Sequence, residues 1–524
     1  MIWRFQRYHI QKFKRAVLCA ALFLWPTLSA AAEITVTSAN GNLTLTGRFI
    51  GYDGTYLQME SPYGPLTVRY GDMTCTGDDC PDPDSFVPTI RLSGASRMAE
   101  ILLPGLIEGF GRSMGYRVAF AQIDSTHATL SLFQDDDHVA DFTIRSSTTD
   151  EGFADLIAHE ADLVMSVREV RESEVAVADG LGIGRLDDGR QSRIVALDGL
   201  VPIVAPGRNV PGISLRDLSR VYTGGIRDWT EVGGAPGRIT VNLMDPSSGL
   251  AQGFLDSVVA RMNRPLTEDV RYHATLADLV AAVAEDPNAL GIVPWGKAVF
   301  AQQLALTDQC GFSLLPRAET LKAEDYPLTM PLFLYLPQRR QAPILREFLT
   351  WLRTPESQLV VRRSGFVDPG PVPIPLADQG QRFATAITLA GDEIPLEELQ
   401  RMVAIMKPRT RLSTTFRFEA GSSRLDAQSR SGLLDLAQSL RKGRYEGRSI
   451  MLIGFSDGRG DANANRLLSE ERAESVKRAL VTLIGDVRDT VTIDTEAFGE
   501  ALPMGCDDTS WGRELNRRVE LWVD

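Results

Sequence analysis

The sequence predicts a multidomain protein of mixed α/β and α+β class, on three observations. Its 524 residues exceed what one hydrophobic core usually organises, so two to four domains are expected. From about Val87 to Pro375, strand and helix patterns alternate, as in α/β regions with parallel strands. Short strands precede that region, and a strand–helix–strand–helix–strand–strand order follows it. These shifts divide the chain into a leader (1–32), a small β module (33–85), an α/β region (86–375), a linker (376–407) and a C-terminal domain (408–524).

The leader carries Arg4, Arg7, Lys12, Lys14 and Arg15 and no acid, then an apolar run from Ala16 to Trp25 and the small residues Ser29-Ala30-Ala31-Ala32. This is the pattern of a cleaved secretory signal, too short to span a bilayer comfortably. Cys19 has no small residues before it, which argues against a lipid anchor. Export to the periplasm is expected. Cleavage leaves 50 Lys and Arg against 68 Asp and Glu, a formal charge of −18. Such acidity disfavours nucleic acid and anionic lipid as partners. The histidines are scattered and none has metal-ligand spacing, so no metal or other cofactor is expected.

In the β module, alternating apolar residues lie between turns at Asn40-Gly41, Asp53-Gly54 and Tyr63-Gly64-Pro65. Cys75 and Cys80 sit in a short polar loop, where export favours a local disulfide. Cys310 and Cys506 fall in different domains and read as separate thiols ahead of a bridge, an alternative the sequence leaves open.

The α/β region contains Val221-Tyr222-Thr223-Gly224-Gly225-Ile226-Arg227-Asp228-Trp229, followed by Glu231-Val232-Gly233-Gly234. With Ser93-Gly94-Ala95-Ser96, Ser247-Ser248-Gly249, Leu290-Gly291-Ile292-Val293 and the segment Phe348 to Leu352 with Gly365-Phe366, it resembles the phosphate ABC-transporter-type periplasmic solute-binding proteins. The resemblance implies a two-lobed, type II periplasmic-binding-protein fold, a small oxyanion ligand and an ABC permease as a candidate partner. Hydroxyls and glycines at strand-to-helix turns suit that chemistry, because backbone N–H groups converge there on an anion. Ser93, Ser96, Ser247, Ser248 and Gly249 are therefore candidate anion contacts. Three positions depart from the family pattern, one being Leu250 where a third hydroxyl is expected. Met244-Asp245-Pro246 stands where an arginine is expected, and Ser166-Val167-Arg168 where an aspartate would accept the proton of hydrogen phosphate. Arg168 is the candidate replacement counter-charge.

Near the C-terminus stand Gly454-Phe455-Ser456-Asp457, then Asn465-Arg466-Leu467-Leu468-Ser469-Glu470-Glu471-Arg472-Ala473, then Asn516-Arg517-Arg518-Val519-Glu520. In this order they resemble the OmpA-like peptidoglycan-binding domain, with a βαβαβ-type fold. The resemblance implies that Asp457 and Arg472 grip the diaminopimelate of the peptide stem, with Asn465 beside them. Diaminopimelate presents an ammonium and a carboxylate on one carbon, so one anion and one cation at fixed separation match it. Asn465 and Ser469 are expected to order the helix start. Of Arg517 and Arg518, one is expected to support the site and the other to be solvated.

No nucleophile–base pair or paired-carboxylate motif can be placed, so no catalytic residue and no enzyme is expected. Gly109-Phe110-Gly111 follows a helix rather than a strand and is no dinucleotide loop. The leading expectation is a periplasmic binding protein tethered to peptidoglycan at the outer envelope. The alternative is a wall-associated adaptor whose solute domain is degenerate; a hydrolase ranks below both.

Overall fold

A computed structural model describes residues 33–524 apart from 84, 299–300, 392, 420–421, 423 and 486–490. The signal-sequence expectation at 1–32 lies outside the described residues. The chain divides between Phe86 and Val87 into two compact units.

The first unit is a five-stranded antiparallel sheet. Glu33–Ser38, Thr44–Tyr52, Tyr56–Ser61 and Gly64–Arg69 form a meander, and Met73–Thr76 returns to pair with the first strand. Alternation buries Ile34, Val36, Leu57 and Met59 on one face. Cys75 and Cys80 are joined in a disulfide, with Cα atoms 5.8 Å apart.

The second unit opens with the α/β region, whose described residues form an eleven-stranded mixed sheet. In one lobe Thr89–Ala95 runs parallel to Asp137–Ser147 and to Leu163–Ser166. In the other, Thr240–Met244 runs parallel to Arg271–His273 and Ala289–Pro294. The thirteen-residue strand Ser192–Val204 passes through both. Its first half pairs with Thr329–Tyr335 and its second with Ala289–Pro294. Near-continuous burial along these strands reflects helices on both faces. The helices start on chemical signals: Thr148 and Glu151 form a capping box, and Ser214, Thr275 and Thr354 cap others.

The C-terminal sheet has the order Pro373–Ile374, Thr410–Arg417, Arg518–Val523, Ser449–Phe455, Thr492–Ala497. Val519, Leu521 and Val523 pack beneath the helices Ala427–Arg441 and Ala462–Ile484. The opposite face, carrying Met451, Ile453 and Trp522, is covered by Gly380–Leu389 and Leu396–Met406. Residues 376–407, expected as a linker, thus supply two helices that complete this core.

That cover also corrects the expectation for Arg518. It lies on the central strand and is fully buried, with Glu520 at 2.7 Å and the carbonyls of Asn516 and Leu502 as acceptors. Arg382, from the first covering helix, ion-pairs with Glu520 as well. Burial opposes the Glu520 charge, and Arg382, Arg411 and Arg518 together overcome it, holding the carboxyl below its usual range.

The C-terminal domain is bound to both lobes. Arg411 forms a buried bidentate pair with Asp325, at 2.7 and 3.0 Å. The Ala427 N–H donates to Glu169 of the first lobe at 2.9 Å. Glu514 holds Arg261 of the second lobe bidentately, at 2.9 and 3.0 Å. Cys310 and Cys506 are joined in a disulfide, Cα atoms 5.3 Å apart, and are not separate thiols. The domain interface brings together residues 196 apart, with Asp308 accepting the N–H groups of Cys310, Phe312 and Cys506. Their sulfurs are spent in the bridge and offer no thiolate to a metal.

Candidate functional site

Two sites were expected, one between the lobes and one on the C-terminal domain.

The interlobe site begins where Thr89–Ala95 ends. Gly94 has φ 136°, and a Cβ there would lie 2.1 Å from the Met165 carbonyl oxygen, so only glycine lets these strands approach. The Ser93 hydroxyl is buried and donates to Asp155 at 2.5 Å, and Asp155 also takes the Arg145 guanidinium. Ser96 is half-buried, and its hydroxyl has no partner among the described residues. From the other lobe, Ser247 donates to Asp245 at 2.6 Å, and Ser248 caps the helix Gly249–Phe254 by accepting the Ala251 N–H.

The fold does bring the two turns together. A Cβ on Gly249 would sit 3.4 Å from that of Ala95 and 3.9 Å from Val167. Arg168, the candidate counter-charge, is committed elsewhere: it pairs with Asp150 at 2.5 Å and Glu174 at 2.6 Å and lies over Phe153. Two carboxylates already neutralise it. Sequence reasoning passed over Arg97, directly after the first turn. It reaches the fully buried Asp198 of the through-going strand at 3.1 Å and stacks on Phe366. A cation one residue beyond a ligand-type turn was the available signal.

The second site lies at the end of Ser449–Phe455. A Cβ on Gly454 would stand 2.0 Å from the Ser469 carbonyl oxygen, so this glycine admits the helix Ala462–Ile484 against the strand. That helix starts earlier than expected and is capped by Asp461, whose carboxylate accepts the Ala464 N–H. Asn465 and Ser469 lie within it. Asn465 donates to Glu500 at 2.8 Å, and Ser469 accepts the Gly499 N–H at 3.1 Å, pinning the following loop.

Asp457 and Arg472 do not pair with one another. Asp457 accepts from Arg517 at 2.8 Å and from the Arg459 N–H at 3.2 Å. Arg472 lies over Phe418, 5.4 Å from the ring centroid. Among the described residues its Nη1 is buried with no hydrogen-bond partner, and so is the Ser456 hydroxyl. Burial first, and Arg517 next, lower the Arg472 pKa against the opposing pull of Asp457. The site therefore offers one guanidinium edge, one hydroxyl and a carboxylate fixed by a second arginine. Ser456, Phe418 and Glu500 were not expected there; only Ser456 stood in a motif that could have given it away.

A two-lobed α/β domain with facing turns, followed by a small α+β domain with a polar loop-and-helix site, defines a binding-type protein. Residues 82–356, just over half of the chain, match the family described as PBP superfamily domain, and the chain belongs to it. Residues 417–517 match the OmpA family. The chain is 20% identical over 187 residues to the phosphate-binding protein PstS of Borreliella burgdorferi, covering 35% of this chain and 67% of that protein. It is 37% identical over 113 residues to the peptidoglycan-associated lipoprotein of Pseudomonas putida, covering 21% and 63%. It is 28% identical over 146 residues to the probable lipoprotein YiaD of Escherichia coli, covering 28% and 58%. The chain thus spans less than two thirds of these last two relatives. A solved ABC-type phosphate transport receptor from Vibrio cholerae aligns with TM-score 0.40 and 18% identity, over 53% of this chain and all of that one. Both matched families are binding families.

Proposed function

We propose that this is a non-enzymatic, exported envelope protein, held to peptidoglycan by its C-terminal domain and carrying a solute-binding domain for a small oxyanion. The observation that carries the tether is the buried, unpartnered Nη1 of Arg472 beside the Asp457–Arg517 pair. A buried donor without an acceptor costs free energy that a ligand carboxylate would restore. Arg472 takes the carboxylate of the diaminopimelate zwitterion and Asp457 its ammonium, with Asn465 beside them, held by Glu500. The relatives named for peptidoglycan association and for phosphate binding support the same reading.

In the cleft, the ligand contacts are Ser96 and the turn of Ser247, Ser248 and Gly249, with Ser93 behind them; an ABC permease would receive the anion. A second reading, an adaptor with a degenerate cleft, draws support from Arg168 and Ser93 being tied to carboxylates.

Sedimentation of the mature chain with purified sacculi tests the tether. Asp457→Ala and Arg472→Ala each remove one member of a charge-matched contact, costing about 2–5 kcal/mol, so both variants stay in the supernatant while folded. Arg472→Lys also weakens binding, because an ammonium lacks the bidentate fork. Folded variants that sediment like wild type exclude the site. Calorimetry with phosphate, sulfate and phosphonates decides the cleft: heat on mixing supports the oxyanion, and silence across the panel leaves the adaptor.

A further inference from the structure

The chain is strongly acidic, yet one pocket of about 440 Å³ concentrates positive charge. It lies between the first lobe's last helices and the helix Ala427–Arg441 of the C-terminal domain. Six cations line it: Arg193, Lys322, Arg353, Arg362, Lys442 and Arg444. Only two carboxylates, Asp368 and Asp435, oppose them, which leaves a local charge of +4.

The carboxylates are already engaged. Asp368 takes both Lys322 and Arg362 at 3.0 Å, and Asp435 lies 3.7 Å from Arg353. Lys442 and Arg444 have no ion pair among the described residues, and both are exposed at the rim. Arg193 is half-buried and, among the described residues, has no ion pair, and its Nε is buried without an acceptor. Burial, and then Arg353, push its pKa down to about 10. It stays charged at neutral pH, with the attraction of Asp435 outweighed by burial and by Arg353. Ser431, Ser439 and Gln438 add hydrogen-bonding groups to the same wall.

We propose that this pocket is a second binding site, distinct from the interlobe cleft and the peptidoglycan site, for a soluble multivalent oxyanion carrying two or more phosphate groups. A net charge of +4 matches three to four negative charges better than one. Guanidinium forks pair with phosphate oxygens in bidentate fashion, and exposed lysine supplies charge without fixed geometry. A pocket of about 440 Å³ suits a small molecule. None of the expected cleft or peptidoglycan-site residues lines it.

Titration calorimetry of the full mature chain with tripolyphosphate at low ionic strength tests the proposal. One-to-one binding that weakens as salt rises is expected. Lys442→Gln/Arg444→Gln, which alters only exposed side chains, weakens it at least tenfold, and Arg193→Gln does the same. Arg238→Gln, the same single-charge change as Arg193→Gln but at an exposed surface pair outside the pocket, leaves it within twofold. The proposal is overturned if wild type binds no tripolyphosphate or if the pocket variants bind like wild type, as they would were the ligand in the interlobe cleft. It is overturned equally if Arg238→Gln weakens binding as much as they do.

Discussion

Replacing Cys310 and Cys506 together by serine removes the one disulfide between the second lobe and the C-terminal domain among the described residues. The bridge spans 196 residues of sequence. Constraining a loop of that length lowers the entropy of the unfolded chain by an amount worth about 5 kcal/mol at 25 °C. The same relation yields only about 2 kcal/mol for Cys75–Cys80, whose separation is 5. The native geometry asks for little rearrangement, since Asp308 already fixes the backbone of both half-cystines. Urea unfolding of the mature chain, followed by fluorescence under non-reducing conditions, should show the double variant unfolding at clearly lower denaturant. A Cys75→Ser/Cys80→Ser variant should shift less. Alkylation and mass spectrometry of the unreduced protein report the pairing independently. An unshifted midpoint for the Cys310/Cys506 variant, or both thiols found alkylated in protein taken from an oxidising compartment, would refute the argument.

Two further outcomes follow from the buried charges. Asp325→Ala removes the bidentate partner of the almost fully buried Arg411, leaves it Glu520 at 3.5 Å as counter-charge, and should cost roughly 3–5 kcal/mol, read as a lower melting temperature; a loss below about 1 kcal/mol would mean that Glu520 or water compensates that guanidinium. The Glu520 carboxyl is held below its usual range, so its contribution is complete above the unfolded value of about 4.3 and is lost as pH falls through the folded value. Glu520→Gln should therefore be less stable at pH 7 and lose less stability between about pH 4.5 and 2; parallel pH profiles for the two proteins would sink that assignment.

The chain's local chemistry determined much of this protein by itself. Turn glycines, helix caps and the change from alternating strands to strand–helix repeats marked the β module, the α/β region and the C-terminal fold. The motifs around Ser93, Ser247, Asp457 and Arg472 pointed to the turns where ligand chemistry is possible. Each of these signals acts over a few residues, so it survives in a linear reading. Tertiary structure decided what those residues face. It spent Arg168 on Asp150 and Glu174, gave Asp457 to Arg517, and left Nη1 of Arg472 without a partner. It folded residues 376–407 over the C-terminal sheet, which buried Arg518 and Glu520 instead of exposing them. It also joined Cys310 to Cys506 and gathered six cations from distant segments into one pocket. Such pairings depend on which surfaces the whole chain packs together, and a charge or thiol carries no local mark of a partner 196 residues away.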